Sequence, residues 1–116
     1  MSDKKVVLEN FKKTTKNLDE ILKLEKTNNV LYTSIKRFDL CFEMAYQLEK
    51  NIAKSKGLDC NSHDQCFKTK NGQWKNLIKD RKISYSITND KQAEEIYLKL
   101  PAYLELFKKL LIEAEK

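Results

Sequence analysis

The sequence predicts an all-α fold, with four main helices and one short helix packed as a single bundle domain over residues 1–116. The chain has only two glycines and one proline, whereas hairpin-rich β folds need many turn residues. Lys, Glu and Leu, which favour helices, are abundant. Hydrophobic residues make up 41% of the chain and charged residues 34%, a balance typical of a compact domain with a charged surface.

Two long helices are predicted in the first half of the chain. Apolar residues recur every three or four positions over residues 5–26, which is the pattern of a helix with one buried face. Asn28 and Asn29 are expected to end this helix and to cap the next one. The second helix has the most regular apolar stripe and is expected to end at Gly57. Cys41 flanks the stripe and is expected to pack as a small hydrophobic residue.

The second half begins with the least regular stretch. Asn61 or Ser62 is expected to cap a short helix over residues 63–70, ended by the turn-prone residues 71–72. The apolar pattern then predicts a helix over residues 74–85.

The last helix is predicted to start at Asn89, with Gln92 as its partner in a capping box. Its apolar stripe is Ala93, Ile96, Tyr97, Leu100, Leu104, Phe107 and Leu111. Pro101 falls inside this helix, so a kink or a short break is expected near residues 99–100.

The net charge of +6 is concentrated in residues 67–82, which hold six basic residues and Asp80 as the only acidic one. Such a cluster is suited to phosphate or to an acidic protein face, or it is a solvated lysine-rich helix face. Arg81 stands out, since a guanidinium can hold a phosphate through two parallel hydrogen bonds. The alternative is that Arg81 pairs with a glutamate of a neighbouring helix.

Generic motifs for catalysis are absent. Two isolated glycines cannot build a phosphate-binding loop, and the single histidine, His63, belongs to no recognisable catalytic set. Cys60, His63 and Cys66 form C-x-x-H-x-x-C, but three ligands do not close a structural zinc site. Ordinary packing and surface positions are the preferred interpretation of these three residues. No cofactor or metal is expected.

The cysteine count and the hydropathy give a first indication of location. Three cysteines are too few, and odd in number, for a disulfide framework. No apolar run approaches the roughly 18 residues that span a bilayer, and the first ten residues lack the apolar stretch of a secretory signal. A cytoplasmic protein without membrane contact is therefore expected.

Three stretches resemble the nucleotidyltransferase substrate-binding protein family, within the HEPN superfamily of helical bundles. They are residues 34–46 (SIKRFDLCFEMAY), 74–81 (WKNLIKDR), and 93–97 (AEEIY) followed by 100–103 (LPAY). They are similar in order and spacing to the family's I-x-R-F-E-F-x-F-E-L-x-W, W-x-x-M-x-x-D-R-N, A-E-x-I-Y and L-P-x-F segments. The resemblance covers roughly residues 30–110.

The resemblance implies a four- to five-helix up-and-down bundle that forms homodimers. It also implies a partner, a minimal nucleotidyltransferase encoded nearby, in a toxin–antitoxin-like module. Active relatives are ribonucleases with the motif Arg, four residues, His, one residue, Tyr. The histidine acts as general acid–base when the ribose 2′-hydroxyl attacks the adjacent phosphate, which the arginine holds. In some relatives the nucleotidyltransferase adenylates the tyrosine.

This sequence departs from that motif. Arg81 matches the arginine, but the histidine and tyrosine positions are Ser86 and Thr88. A serine hydroxyl does not titrate near neutral pH and cannot replace imidazole. Tyr85 lies one residue out of register, and its ordinary pKa near 10 makes it a poor base.

A non-catalytic subunit that binds a nucleotidyltransferase is therefore the first hypothesis. The residues expected at the binding cleft are Lys79, Arg81, Lys82 and Tyr85, with Trp74 supporting them from the core. Two alternatives remain open. One is a divergent ribonuclease that uses Arg81 with Tyr85 or His63, and the other is an RNA-binding module built on residues 67–82.

Overall fold

The computed structural model describes residues 4–68, 70 and 72–115, which form five helices and no strand. The helices are α1 (Lys4–Leu22), α2 (Asn28–Ser55), α3 (His63–Cys66), α4 (Gly72–Ser84) and α5 (Asp90–Glu115). Helices α1, α2 and α5 pack against one another, α4 packs against α2 and α5, and the one-turn α3 packs against α2 and α4. The predicted all-α helical bundle is confirmed.

Helix α1 buries the predicted apolar face through Val7, Phe11, Thr15, Leu18 and Ile21. It ends at Leu22, four residues before the predicted end, and Leu24 is exposed. A single apolar side chain past the stripe buries too little surface to extend a helix. The cap of α2 is Thr27, whose hydroxyl accepts a hydrogen bond of 3.1 Å from the Val30 amide. The cap therefore lies one or two residues before the predicted position at Asn28 or Asn29.

Helix α2 ends as predicted in front of Gly57. This glycine has a φ of +75°, a left-handed conformation that residues with a side chain adopt at a cost. The Gly57 amide donates to the Lys54 carbonyl at 3.0 Å, and the Leu58 amide donates to the Ala53 carbonyl at 2.9 Å. The turn thereby satisfies carbonyls at the end of the helix. Cys41 on α2 is fully buried, as predicted.

The stretch between α2 and α4 differs most from the prediction. The expected short helix over residues 63–70 is the single turn α3, capped by Ser62, whose hydroxyl accepts from the Gln65 amide at 3.1 Å. Gly72 begins α4 and does not end the preceding helix, while Asn71 lies outside the described residues.

Cys60 and Cys66 pack in the core, as the preferred interpretation expected, but contrary to the expectation from the cysteine count they form a disulfide bond. The turn of α3 brings their Cα atoms within 5.1 Å, inside the range that a disulfide can bridge. Among the described residues, no three His, Cys, Asp or Glu side chains are grouped so that they could hold a metal ion.

Helix α5 starts after Asn89, whose side chain accepts from the Gln92 amide at 2.9 Å. The Gln92 side chain completes the cap by accepting from the Thr88 amide at 3.0 Å. The predicted break near residues 99–100 is absent, because α5 continues through Pro101. Proline removes one backbone hydrogen bond from a helix interior, and the packing of α5 against α1, α2 and α4 compensates for this loss.

The core is organised around Phe107 of α5. Its ring lies 5.9 Å from that of Phe11 on α1, 6.1 Å from that of Phe38 on α2 and 5.9 Å from that of Trp74 on α4. Aromatic pairs at these separations add to the stabilisation from buried area. One side chain thus contacts three other helices.

No helix within residues 4–68 and 72–115 is both long and apolar enough to cross a bilayer.

Candidate functional site

Helix α4 carries five buried residues from one of the stretches that define the resemblance, among them two charged ones. Trp74, Asp80 and Arg81 are each only 4% exposed. Trp74 stacks on Phe67, with ring centroids 4.8 Å apart, and belongs to the hydrophobic core. Of the residues expected at the cleft, it supports the core and offers almost no surface to a ligand.

Asp80 connects α4 to α5. Its carboxylate accepts a hydrogen bond from the Tyr103 hydroxyl and lies 3.1 Å from the Lys99 ammonium. Burial, followed by the hydrogen bond to Asp80, raises the pKa of Tyr103, so its hydroxyl stays protonated and continues to donate. A buried carboxylate needs such partners, because its desolvation is costly.

Arg81 points instead towards α2. Its Nε lies 3.5 Å from a carboxylate oxygen of Asp39, and the same oxygen accepts a hydrogen bond of 2.6 Å from Ser84. The guanidinium lies over the ring of Tyr85, 3.7 Å from its centroid, and donates to the Tyr85 hydroxyl. It also lies 5.4 Å from the centroid of the Phe42 ring. Arg81 pairs with an aspartate, where the alternative from the sequence was a glutamate.

Burial dominates the electrostatics of this ion pair. It raises the pKa of Asp39, while the hydrogen bond from Ser84 and the charge of Arg81 act in the opposite direction. Burial also lowers the pKa of Arg81, against the attraction of Asp39 and Glu43. The attraction between the two charges therefore does not fully offset their desolvation.

The three stretches that carry the resemblance meet at these contacts. Asp39 comes from the first, Asp80 and Arg81 from the second, and Tyr103 from the third. Two adjacent residues of α4 thus connect it to α2 on one side and to α5 on the other.

His63, which the ribonuclease alternative pairs with Arg81, lies beside the same group. The His63 ring meets the Phe42 ring edge-on at 4.8 Å and the Tyr46 ring at 4.5 Å. Phe42 therefore contacts both His63 and the guanidinium of Arg81. We call this group the Arg81 cluster; it consists of Asp39, Phe42, Tyr46, His63, Arg81, Ser84 and Tyr85. No sequence signal places His63 there, because the contact depends on how α3 packs on α2.

The surroundings of His63 favour its neutral form. Burial is the largest cause, and the positive charges of Arg81 and Lys82 lower the pKa further, against the opposing effects of Glu43 and Asp64. An imidazole that is neutral at pH 7 can accept a proton.

We expect the pKa of His63 to lie below its ordinary value of 6.5. A lowered histidine pKa means that the unfolded chain binds the proton more readily. The contribution of the neutral His63 ring to the free energy of unfolding is therefore complete above pH 6.5. It is lost as the pH falls through the lower pKa that His63 has in the folded protein. Because His63 is the only histidine, an NMR titration of the imidazole C–H signals measures it without assignment. His63→Gln should remove this part of the pH dependence of unfolding, and a midpoint at or above 6.5 would contradict the expectation.

The remaining motif positions serve local structure. Ser86 donates to the Ile83 carbonyl at 3.2 Å, and the Thr88 hydroxyl donates to Gln92 at 3.3 Å. Both residues are exposed in the turn between α4 and α5. These contacts give neither hydroxyl a partner in the Arg81 cluster.

The basic residues of 67–82 face different parts of the molecule. Lys79 lines a hollow between α4 and α5, whereas Lys82 lies 4.0 Å from Asp64 beside α3. Lys70 lies 3.4 Å from both Glu49 and Glu113. With Arg81 buried, the charges that cluster in the sequence are spread over several faces.

The fold and the site define a class: a five-helix all-α bundle with a buried arginine cluster between α2 and α4. A solved structure with the same fold is that of a protein from Thermus thermophilus. It is 19% identical, with a TM-score of 0.82 over 91% of this chain and 99% of the other. This likeness concerns the fold alone. No family model and no curated protein sequence matches the chain.

Proposed function

We propose that this protein is a non-catalytic helical subunit that binds a minimal nucleotidyltransferase. The observation that carries the proposal is the closed state of Arg81, which is paired with Asp39, covered by Tyr85 and only 4% exposed. A guanidinium that is buried and covered by the Tyr85 ring is screened from a phosphate in solution, although its Nε donor has no hydrogen-bond partner among the described residues. The sequence resemblance supplies the identity of the partner and, with it, a homodimeric assembly.

The chemistry at the two substituted positions supports a non-catalytic role. Ser86 and Thr88 stand where active relatives carry the histidine and the tyrosine, and their hydroxyls are hydrogen-bonded within the α4–α5 turn. Neither hydroxyl can transfer a proton near neutral pH. Because residue 88 is a threonine, the tyrosine adenylation of some relatives cannot take place at this position.

The outer surface of the Arg81 cluster is the proposed contact with the partner. Tyr85 is 72% exposed although its hydroxyl and one ring face are held by Arg81, so its position is fixed before binding. A second exposed apolar side chain is Leu40, which is 55% exposed and projects from α2 about 100° around the helix from Asp39. Fixed aromatic and aliphatic side chains on a surface are typical anchors of protein interfaces.

Leu40→Asp should abolish the complex when the chain is co-expressed with the nucleotidyltransferase encoded beside it. An unpaired carboxylate in an apolar contact loses its hydration without a partner. We expect the unchanged chain to co-purify in a stoichiometric complex, with its mass measured by light scattering. Leu98→Asp on α5 is the matched control, since Leu98 is 76% exposed and lies on another helix.

Failure of the unchanged chain to form a complex would refute the proposal, whereas equal loss with both variants would refute only the location of the contact. The same measurement on the chain alone distinguishes a monomer from the proposed homodimer.

The position of His63 favours a second candidate function, a divergent ribonuclease. A neutral imidazole beside a guanidinium matches the groups that activate the ribose 2′-hydroxyl and hold the phosphate. For this function Tyr85 would have to move away from Arg81. We expect His63→Gln to abolish any RNA cleavage and Lys109→Gln, at an exposed position of α5, to leave it unchanged. Cleavage that survives His63→Gln would exclude this role for the histidine.

RNA binding through residues 67–82 receives less support, because the basic side chains lie on several faces and Lys70 and Arg81 are engaged by carboxylates. This hypothesis predicts an affinity that falls steeply as the salt concentration rises.

A further inference from the structure

The disulfide between Cys60 and Cys66 closes a small polar loop around α3. The four residues at positions 61, 62, 64 and 65 are exposed, whereas both cysteines are buried and His63 is half-buried. A helix of one turn has no stability of its own. The side chains of Cys60, Cys66 and His63 point inward, and the covalent bond joins the two ends of the loop and so fixes the position of the turn between them.

His63 opens α3 and is the loop's contact with the Arg81 cluster, through the rings of Phe42 and Tyr46. Local hydrogen bonds shape the loop, since the Gln65 side chain accepts from the Asn61 amide at 2.8 Å. These bonds lie within the loop, so they set its shape but do not attach it to α2.

A cavity of about 310 Å³ gives access to the disulfide. Cys60 and Cys66 form part of its wall, together with Lys56 and Lys68. Glu49 also lines the cavity, and its carboxylate faces Lys70 at 3.4 Å. Asp59 lines the cavity as well, so two lysines face two carboxylates, and access to the sulfur atoms, not a positive field, is what the cavity provides.

We propose that the Cys60–Cys66 disulfide is a reversible thiol switch, opened by a small dithiol that enters this cavity, and that its state decides whether His63 is held in the Arg81 cluster. A thiolate of the dithiol attacks one cysteine sulfur, forms a mixed disulfide and expels the other cysteine as a thiolate, which takes up a proton. The second thiol of the reagent then displaces the first cysteine. The protein gains two thiols, and the dithiol becomes a disulfide.

The switch acts on the chain alone and does not depend on a nucleotidyltransferase partner. While the disulfide is intact, the positive charges of Arg81 and Lys82 disfavour protonation of His63, and the negative charges of Glu43 and Asp64 favour it. When the loop is released, the ring leaves its aromatic contacts and enters water. Its pKa should then rise towards 6.5, the ordinary value.

The test compares the full chain before and after treatment with dithiothreitol, using the imidazole C–H signals of the single histidine. We expect reduction to shift these signals and to raise the pKa of His63 while the helix content by circular dichroism is unchanged. The double variant Cys60→Ser, Cys66→Ser should reproduce the reduced state without reductant. Cys41→Ala is the control and should respond to dithiothreitol like the unchanged chain, because burial raises the pKa of the Cys41 thiol to about 12.

Three results would overturn the proposal. The first is an unchanged His63 signal and pKa in the reduced protein and in the double variant, which would mean that packing alone holds the ring. The second is a disulfide that dithiothreitol reduces only in denaturant, as measured by thiol titration. The third is a general loss of helix on reduction, which would make the bond a structural one.

Discussion

Replacing Arg81 by methionine should lower the free energy of unfolding by about 3 kcal/mol. Removing one partner of a buried ion pair leaves the other as an uncompensated charge, which costs roughly 3–5 kcal/mol. The lower end of this range applies because the Asp39 side chain is 22% exposed and water can partly hydrate its charge. The loss of packing against Phe42 and Tyr85 adds to the effect.

Urea unfolding followed by circular dichroism measures this change. Arg37→Met is the matched control, since Arg37 is the other arginine of the chain and donates to the Asn17 carbonyl at 2.8 Å in an exposed setting. Exposed polar contacts contribute about 1 kcal/mol or less. Equal costs for the two variants would show that the guanidinium of Arg81 is hydrated and free to meet a ligand, against the proposed non-catalytic role.

The double variant Arg81→Met, Asp39→Ala separates the charge from the packing. Because neither charge is then left unpaired, the combined cost should be smaller than the sum of the two single costs. This difference measures how much the interaction between Arg81 and Asp39 contributes to the stability of the fold.

The fold was predictable because apolar periodicity is a local property of each helix. Phe38, Phe42 and Phe107 lie on stripes with a period of three to four residues, and each is fully buried. A long amphipathic helix has no stable alternative to burying that face. Helix ends were less accurate, as with the cap at Thr27, because neighbouring polar residues have similar capping preferences.

The candidate site was only partly predictable, because its contacts join residues that are distant in the sequence. Arg81 could be singled out from its motif, but its partner Asp39 lies on another helix and depends on how α4 packs against α2. The position of His63 and the bond between Cys60 and Cys66 depend on the single turn of α3. A four-residue helix has too few apolar positions for a periodicity to be recognised.

The same dependence on packing between helices makes Phe107 the most sensitive position in the core. Phe107→Ala should lower the free energy of unfolding by about 4 kcal/mol, since deletion of a buried phenylalanine side chain costs roughly 3–5 kcal/mol. Its ring contacts Phe11, Phe38 and Trp74 on three helices, so collapse of one helix cannot fill the cavity. For a domain whose total stability is about 5–15 kcal/mol, this is a large share.

The unfolding of this variant should be measured by circular dichroism and not by fluorescence. The fluorescence of Trp74 will change in the folded state as well, because its contact with the Phe107 ring is lost. Phe107→Leu retains most of the volume and should cost less than about 1.5 kcal/mol, while Leu98→Ala on the exposed face of α5 should stay within about 0.5 kcal/mol. If Phe107→Ala cost no more than Phe107→Leu, the helices would have closed over the vacated space. The bundle would then be held by pairwise helix contacts, among them the Asp80–Tyr103 and Asp39–Arg81 pairs, and not by a shared aromatic centre.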